Sequence, residues 1–233
     1  MELKYKRILI KVSGEALSSK GNLFDTNIIE HTVSEIKTIH DMGVQMGVVI
    51  GGGNIWRGRE GREMDRTTAD YMGMLATAIN ALCLQDALLR SGVDCQIVTA
   101  FKIDKIGELY DQRKAVQYLE DGKVLLFACG TGNPFFSTDT GAALRAAEIG
   151  VDVMLLAKNV DGIYDSDPKT NPHAKRLDEI SYREYLSQNL KVMDSAAVAI
   201  CQDTKLPVLL FGLAEKDSIR RAVMGEKMGT LLH

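Results

Sequence analysis

The chain has 233 residues, of which 45% are hydrophobic and 25% charged, with a formal net charge of -3. That balance excludes a disordered or fibrous chain, and it supplies no global basic field to attract nucleic acid or an anionic membrane. The length suits one large domain or two small ones, and without a Pro-, Gly- or Ser-rich linker a single domain over 1–233 is expected.

The first apolar run, Lys6 to Val12, predicts a strand. The residues before it lack an apolar stretch of secretory-signal length, so a cytoplasmic address is expected, and no membrane segment. Asp25 is placed to cap a helix in which Ile28, Ile29, Val33 and Ile36 recur at helical spacing, with Gly43 as its stop. Val44 to Ile50 predicts a second strand, which runs into Gly51, Gly52 and Gly53 and then reaches Arg57. A charged segment to Arg66 precedes a long helix from about Thr67 or Thr68. Its expected apolar face is Ala69, Met72, Leu75, Ala76, Ile79, Leu82 and Cys83.

Gly92 closes that helix, Cys95 to Val98 predicts a third strand, and about Glu108 to Leu119 reads as helical. Lys123 to Ala128 is the fourth predicted strand. It ends in Gly130-Thr131-Gly132-Asn133-Pro134, and Phe135-Phe136-Ser137-Thr138 then lead into an Ala-rich helix from Asp139 to Ile149. Asp152 to Leu156 predicts a fifth strand, and Asn159 to Pro172, dense in Asp, Asn and Pro, a loop or short hairpin. Ser181 and Glu184 form a plausible capping box, and Asp194 heads a helix over Ser195 to Thr204. Pro207 to Phe211 is a sixth strand, Asp217 to Met224 a helix, and Met228 to Leu232 a closing strand. This alternation predicts an α/β three-layer sandwich, a mainly parallel central sheet covered by helices on both faces. The four cysteines, Cys83, Cys95, Cys129 and Cys201, lie far apart without C-x-x-C spacing and read as reduced structural thiols rather than metal ligands.

In an open α/β sheet, ligands collect at the carboxyl ends of the strands. Four motifs converge there: Lys11-Val12-Ser13-Gly14, the Gly51 to Gly53 turn, Gly130 to Asn133, and the Asp-rich loop from Asp161 to Asp167. Three consecutive glycines remove every Cβ and let backbone N–H groups approach an anion. Alone, such a turn is as well explained by chain geometry; lysine, arginine and carboxylates along the same edge describe a polyphosphate site. No G-x-x-x-x-G-K-[ST] is present, neither of the first two strand ends spells G-x-G-x-x-G, and the H-R-D and D-F-G signatures are missing. Phosphoryl transfer needs donor and acceptor held in line and cations where charge spreads over the transferred group. Lys11 suits the bridging role and the Arg57 fork the grip on phosphate oxygens. Asp139 and Asp194 are placed to hold such a lysine, to organise Mg2+ through water, or simply to cap helices. Asp70 is either a favourable helix-dipole charge or a partner for a ribose diol.

Together, Lys11 to Leu17, the glycine stretch through Arg57-Gly58, Asp70 to Thr77, Gly130 to Asp139, Val160 to Tyr164 with Asp167-Pro168, Lys191 to Asp194, and Val223 to Lys227 resemble the amino-acid kinase superfamily. Within it the resemblance is to the bacterial uridylate (UMP) kinases, over almost the whole chain. The resemblance implies transfer from ATP to UMP with Mg2+, in pyrimidine nucleotide biosynthesis, by a homohexamer. ATP would meet Lys11, Val12, Ser13, Gly14, Gly53, Arg57, Tyr164 and Asp167, mainly through the C-terminal half. Lys158 stands at the adenine-side position where family members often carry Thr or Asn. UMP, mainly on the N-terminal half, would meet Gly52, Asp70, Thr131, Gly132, Asn133, Pro134, Phe135, Phe136, Ser137 and Thr138, with Asp70 on the ribose. Lys11 and Asp139 would be central to transfer, supported by Arg57 and Asp194. The loop Ser18 to Phe24 differs from the Gly-rich version in members activated by GTP, which leaves activation by GTP and inhibition by UTP open. The rival readings are a small-carboxylate kinase of the same fold and a nucleotide-binding regulator without catalysis.

Overall fold

The computed structural model describes residues 3–57, 63–158, 160–166, 168, 170–171, 173–212 and 217–233. The chain runs β1 (Arg7–Val12), a 3-10 turn (Gly14–Leu17), α1 (Thr26–Asp41), β2 (Gln45–Ile50), α2 (Arg66–Arg90), β3 (Cys95–Thr99) and β4 (Glu108–Leu109). There follow α3 (Gln112–Glu120), β5 (Val124–Ala128), α4 (Thr138–Ile149), β6 (Val153–Lys158), β7 (Ile163–Tyr164), β8 (Arg176–Leu177) and β9 (Glu179–Ile180). The last elements are α5 (Tyr182–Ser187), α6 (Ser195–Thr204), β10 (Val208–Gly212), α7 (Ser218–Val223) and β11 (Thr230–Leu232).

Among the described residues, nine strands form one sheet in the order β4-β3-β5-β2-β1-β6-β10-β11-β9. Every pairing in it is parallel except β10 with β11. The central strands are near-continuous apolar runs because both faces are covered. In β1, Ile8, Ile10 and Val12 face a layer that contains Ile29, Val33 and Ile36 of α1 and Leu84 and Leu88 of α2. Leu9 faces the opposite layer, with Ala142, Ala143 and Ala146 of α4 and Ala197 and Val198 of α6. The expected three-layer sandwich is therefore the observed one.

Local chemistry sets the helix starts. The Asp25 carboxylate accepts from the N–H groups of Asn27 and Ile28, and Ser181 with Glu184 forms the reciprocal capping box. Of the segment Asn159 to Pro172, expected as a loop or short hairpin, Ile163–Tyr164 forms β7, and its antiparallel partner β8 lies beyond the predicted end, at Arg176–Leu177, outside the main sheet. All four cysteines are free thiols. Most boundaries shift by one or two residues from the sequence reading.

Two expectations are corrected. The segment Glu108 to Leu119 is not one helix. Glu108 and Leu109 pair with Val98 and Thr99 as an edge strand, and Asp111 then caps α3 by accepting from the Lys114 N–H. A two-residue strand is too short to register as a period-2 pattern. In α2, the expected apolar face is split. Ala69 and Ala76 are buried, but Met72, Leu75, Ile79 and Leu82 are exposed, and the helix instead buries small residues such as Ala78 and Ala81 together with Thr77 and Asn80. Small side chains let the helix lie close against the strand ends, which turns the bulky stripe outward. Among the described residues α2 is the one helix long and apolar enough to cross a bilayer, and half of its most apolar window is buried in this fold.

Candidate active site

The carboxyl ends of β1, β2 and β5 open into one cleft of about 740 Å3, whose lining includes no residue of β6 or of the Asp-rich loop after it among the described residues. Lys11 enters it from β1. Gly52, Gly53 and Arg57 follow β2, Asp70 comes from α2, and Thr131, Asn133, Phe135, Phe136, Ser137, Thr138 and Asp139 from the β5–α4 connection. Asp194, at the start of α6, completes the wall.

At its floor, Asp139 carries two lysines. Lys11 Nζ lies 3.2 Å from Oδ1 and Lys158 Nζ 3.0 Å from Oδ2, and Asp139 is only 13% exposed. Burial alone would raise the Asp139 carboxyl, but Lys11 and Lys158 outweigh it and hold the group below the ordinary carboxylate range. Burial pushes the Lys158 ammonium below its usual value, against the opposing pull of Asp139. Lys158 also donates to the Val192 carbonyl and is tied at two points, whereas Lys11 is held at Oδ1 by the ion pair. Lys11 is thus the less committed cation, held nearby by charge and open to phosphate oxygens. Lys158, expected on the adenine side, turns instead toward this centre and does not line the cleft itself.

Asp194 has a different task. Its carboxylate accepts from the Ala197 N–H at 3.0 Å as the cap of α6, from Thr140 Oγ1 at 3.0 Å, and from Ser137 Oγ. It fastens the starts of α4 and α6 together and so fixes Asp139 in the first turn of α4. Ser137, rather than Asp139, is the α4 cap, accepting from the N–H groups of Asp139 and Thr140.

The glycine turn is held from behind. Fully buried Asn80 of α2 donates to the Gly51 carbonyl at 2.7 Å and to Asn54 Oδ1 at 2.7 Å. Thr77, one turn earlier, accepts from the Cys129 N–H at 2.7 Å at the end of β5. The two polar residues on the buried side of α2 therefore anchor both glycine-rich strand ends. Packing explains Gly52: a Cβ there would stand 2.8 Å from the Gly73 carbonyl oxygen and 2.9 Å from Ala76 Cβ. Arg57 arches over the turn, donating to the Gly53 carbonyl at 3.0 Å and pairing with Glu15 at 3.0 Å. Asn80→Ala leaves the buried Gly51 carbonyl without this donor, and a loss of about 1–3 kcal/mol in urea unfolding is expected. An unchanged denaturation midpoint would contradict the anchoring role.

The loop after β5 is tightly wound, with positive φ at Cys129, Gly130, Gly132 and Phe135. Thr131 Oγ1 accepts from the Asn133 N–H at 3.2 Å. Phe135 is 68% exposed, and its N–H donates to Asp70 Oδ2 at 2.8 Å. Asp70 also accepts from Arg66 Nε at 2.9 and 2.8 Å on its two oxygens.

Of the residues singled out in the sequence, Val12, Ser13, Gly14, Gly132, Pro134 and Tyr164 do not line the cleft. Gly14 packs against the glycine turn, where a Cβ would collide with Asn54, and the Tyr164 hydroxyl donates to Asp161 at 2.9 Å. Asp167, Gly58 and Asn159 lie outside the described residues. Sequence reasoning missed Trp56 and Arg66, which line the cleft, and the supports Thr77, Asn80 and Thr140. Arg66 was detectable as a helical pair four residues before Asp70. Thr77 closed the Asp70 to Thr77 stretch with no role assigned to it, and Asn80 and Thr140 carried no motif.

Among the described residues, no group of three His, Cys, Asp or Glu side chains stands together to hold a metal. With Asp139 neutralised by two lysines and Asp194 engaged by hydroxyls, the donor set fits a Mg2+ carried by nucleotide phosphates rather than a protein cage.

Three solved structures resemble this chain closely. The UMP kinase from Bacillus anthracis is 40% identical with a TM-score of 0.95, covering 98% of this chain and 96% of its own. The UMP kinase from Ureaplasma parvum is 39% identical with a TM-score of 0.92, covering 98% and 99%. The uridylate kinase from Archaeoglobus fulgidus is 29% identical with a TM-score of 0.75, covering 97% and 99%. The profile of the amino acid kinase family matches residues 6–212. With this fold, this cleft and that match over most of its length, the chain belongs to the amino acid kinase family.

Proposed function

We propose that this chain is an ATP-dependent nucleoside-monophosphate kinase that converts UMP to UDP by direct in-line phosphoryl transfer. The observation that carries this reading is the Lys11–Asp139–Lys158 centre, set between the glycine turn and the Thr131 to Thr138 loop. The similarity to UMP kinases at 40% and 39% identity supports the choice of acceptor.

A phosphate oxygen of UMP attacks the γ-phosphorus of ATP as the bond to the β,γ-bridging oxygen breaks, and ADP leaves. Lys11 stabilises the negative charge on the transferring group, and Asp139 keeps Lys11 and Lys158 at that point without neutralising the site completely. The glycine turn, stiffened by Asn80, brings backbone close to the phosphates, and Arg57 closes over them. Mg2+ bound to the nucleotide would offset charge on its phosphates, with Asp139 and Asp194 as the carboxylates placed to meet its water shell. In this reading 1–233 acts as a single domain, its N-terminal half mainly on UMP and its C-terminal half, with Tyr164 and Asp167, mainly on ATP. It works in the cytoplasm in pyrimidine nucleotide biosynthesis, without nucleic-acid or membrane partners.

The same reading includes a homohexamer. The outward stripe of α2, with Tyr71, Met72, Leu75, Ile79 and Leu82 exposed, is the apolar face that self-association would cover. Leu75→Glu combined with Ile79→Glu is expected to yield monomers in analytical ultracentrifugation. A double variant that retains the full assembly would contradict the use of this face.

An ADP-release assay with Mg2+ and a panel of UMP, CMP and small carboxylates tests the proposed activity. Turnover with UMP above the others is expected. Turnover only with a carboxylate, or nucleotide binding without turnover, would overturn it.

A further inference from the structure

Arg66 is the first residue of α2, and Asp70 follows it by one turn. As a helix-stabilising device this order is wrong on two counts. A cation at a helix N-terminus opposes the macrodipole, and a basic residue preceding an acidic one at i,i+4 is the weaker orientation of the pair. Yet the contact is close, with Arg66 Nε bridging both Asp70 oxygens at 2.9 and 2.8 Å. The pair also reaches across the cleft: the Phe135 N–H donates to Asp70 Oδ2 at 2.8 Å, and the Arg66 guanidinium lies 5.5 Å from the Phe135 ring centroid. Arg66 and Asp70 both line the cleft, with Asp70 13% exposed against 46% for Arg66. Phe135 itself sits at φ 71°, a conformation that a bulky side chain adopts only when its surroundings hold it there.

We infer that Arg66 is a positioning residue for acceptor recognition: it fixes the Asp70 carboxylate against the Phe135 backbone, so that the acid and the acceptor loop present one rigid surface to the sugar of the nucleotide. This rests on the reading of Asp70 as the ribose contact. Without Arg66 both Asp70 oxygens lose a donor and the tie across the cleft weakens, so acceptor binding suffers while the transfer centre at Asp139 is untouched. The guanidinium acts through Asp70 and the loop rather than on the reacting atoms.

Steady-state kinetics with UMP and dUMP test this, on R66M, R66K, R66Q, D70N and the double variant R66M/D70N. The expected result for R66M is a KM for UMP raised about tenfold with kcat changed by no more than about twofold, the pattern of lost ground-state binding. Its preference for UMP over dUMP should fall to that of D70N, R66K should recover part of it, and the double variant should be no worse than D70N alone. R66Q keeps the comparison intact if R66M fails to fold. Wild-type KM and sugar preference in R66M and R66Q, with both lost in D70N, would overturn the role of Arg66 and leave that of Asp70 standing. Fully additive effects in the double variant would overturn it as well. Wild-type behaviour in D70N would overturn both roles together.

Discussion

Lys11→Ala is expected to lower kcat by roughly 100-fold or more, on the order of 3 kcal/mol, the effect of removing one preorganised charge stabiliser from a phosphoryl-transfer centre. UMP binding should survive. Lys11 points into the cleft from the end of β1, held by the ion pair 3.2 Å from Asp139 Oδ1. That arrangement keeps an ammonium at the site while leaving its donors available to phosphate oxygens. The variant also removes a buried counter-charge, so its fold is checked by thermal melting, and its affinity for UMP is read by titration calorimetry. A kcat within about twofold of the wild type would contradict the role, because a cation acting only in the transition state appears in kcat.

Asp139→Asn is expected to be comparably severe, for a different reason. The carboxylate contributes no donor to the phosphates; it holds Lys11 and Lys158 together in a region where each alone would be repelled by the other. Without it the two ammonium groups separate or one loses its proton, and a misplacement of about 1 Å at the reacting group is enough for roughly a 100-fold loss. Removing the acid also leaves buried cations without their partner, a loss of about 3 kcal/mol or more.

The pH dependence has a definite sign. The folded Asp139 pKa is depressed below 3.8, so its contribution to stability is fully present above that value and is lost as pH falls through the folded value. Lys158 adds a pH dependence of the same sign in a higher pH range, because burying its charge is a cost that deprotonation relieves. Burial lowers its folded pKa below 10.5, so folding is favoured as pH rises from the folded value toward 10.5. Guanidinium unfolding measured at pH 5 and at stepwise lower pH should therefore show a steeper acid loss for the wild type than for Asp139→Asn. Parallel pH profiles would show that the ion cluster contributes nothing to folding.

Much of this was legible in the chain because it is written in local chemistry. Ile8-Leu9-Ile10 and Val124 to Ala128 are apolar runs that only a doubly covered sheet explains, and Asp25, Ser181 and Asp194 announce helix starts by their spacing. Lys11, the glycine turn and the Thr131 to Asp139 stretch pointed to phosphate because strand order brings their loops to one sheet edge. What stayed hidden depends on partners distant in sequence. Asn80 and Thr77 look like interruptions of an apolar helix until the carbonyl of Gly51 and the N–H of Cys129 are seen against them. Lys158 stands two residues beyond the predicted end of its strand, and the direction of its side chain depends on Asp139 across the cleft. Periodicity found an apolar stripe on α2 but not which stripe faced inward, since alanines rather than Leu75 and Ile79 make the close contact with the sheet.

The central claim is a direct transfer between two phosphates that meet over the glycine turn beside Lys11. It is tested most directly by incubating the enzyme with Mg2+, UMP and ATP made chiral at its γ-phosphorus, then reading the configuration at the β-phosphorus of the UDP formed. A single in-line displacement gives inversion. Retention of configuration, or release of the labelled group as inorganic phosphate without UDP, would contradict the account.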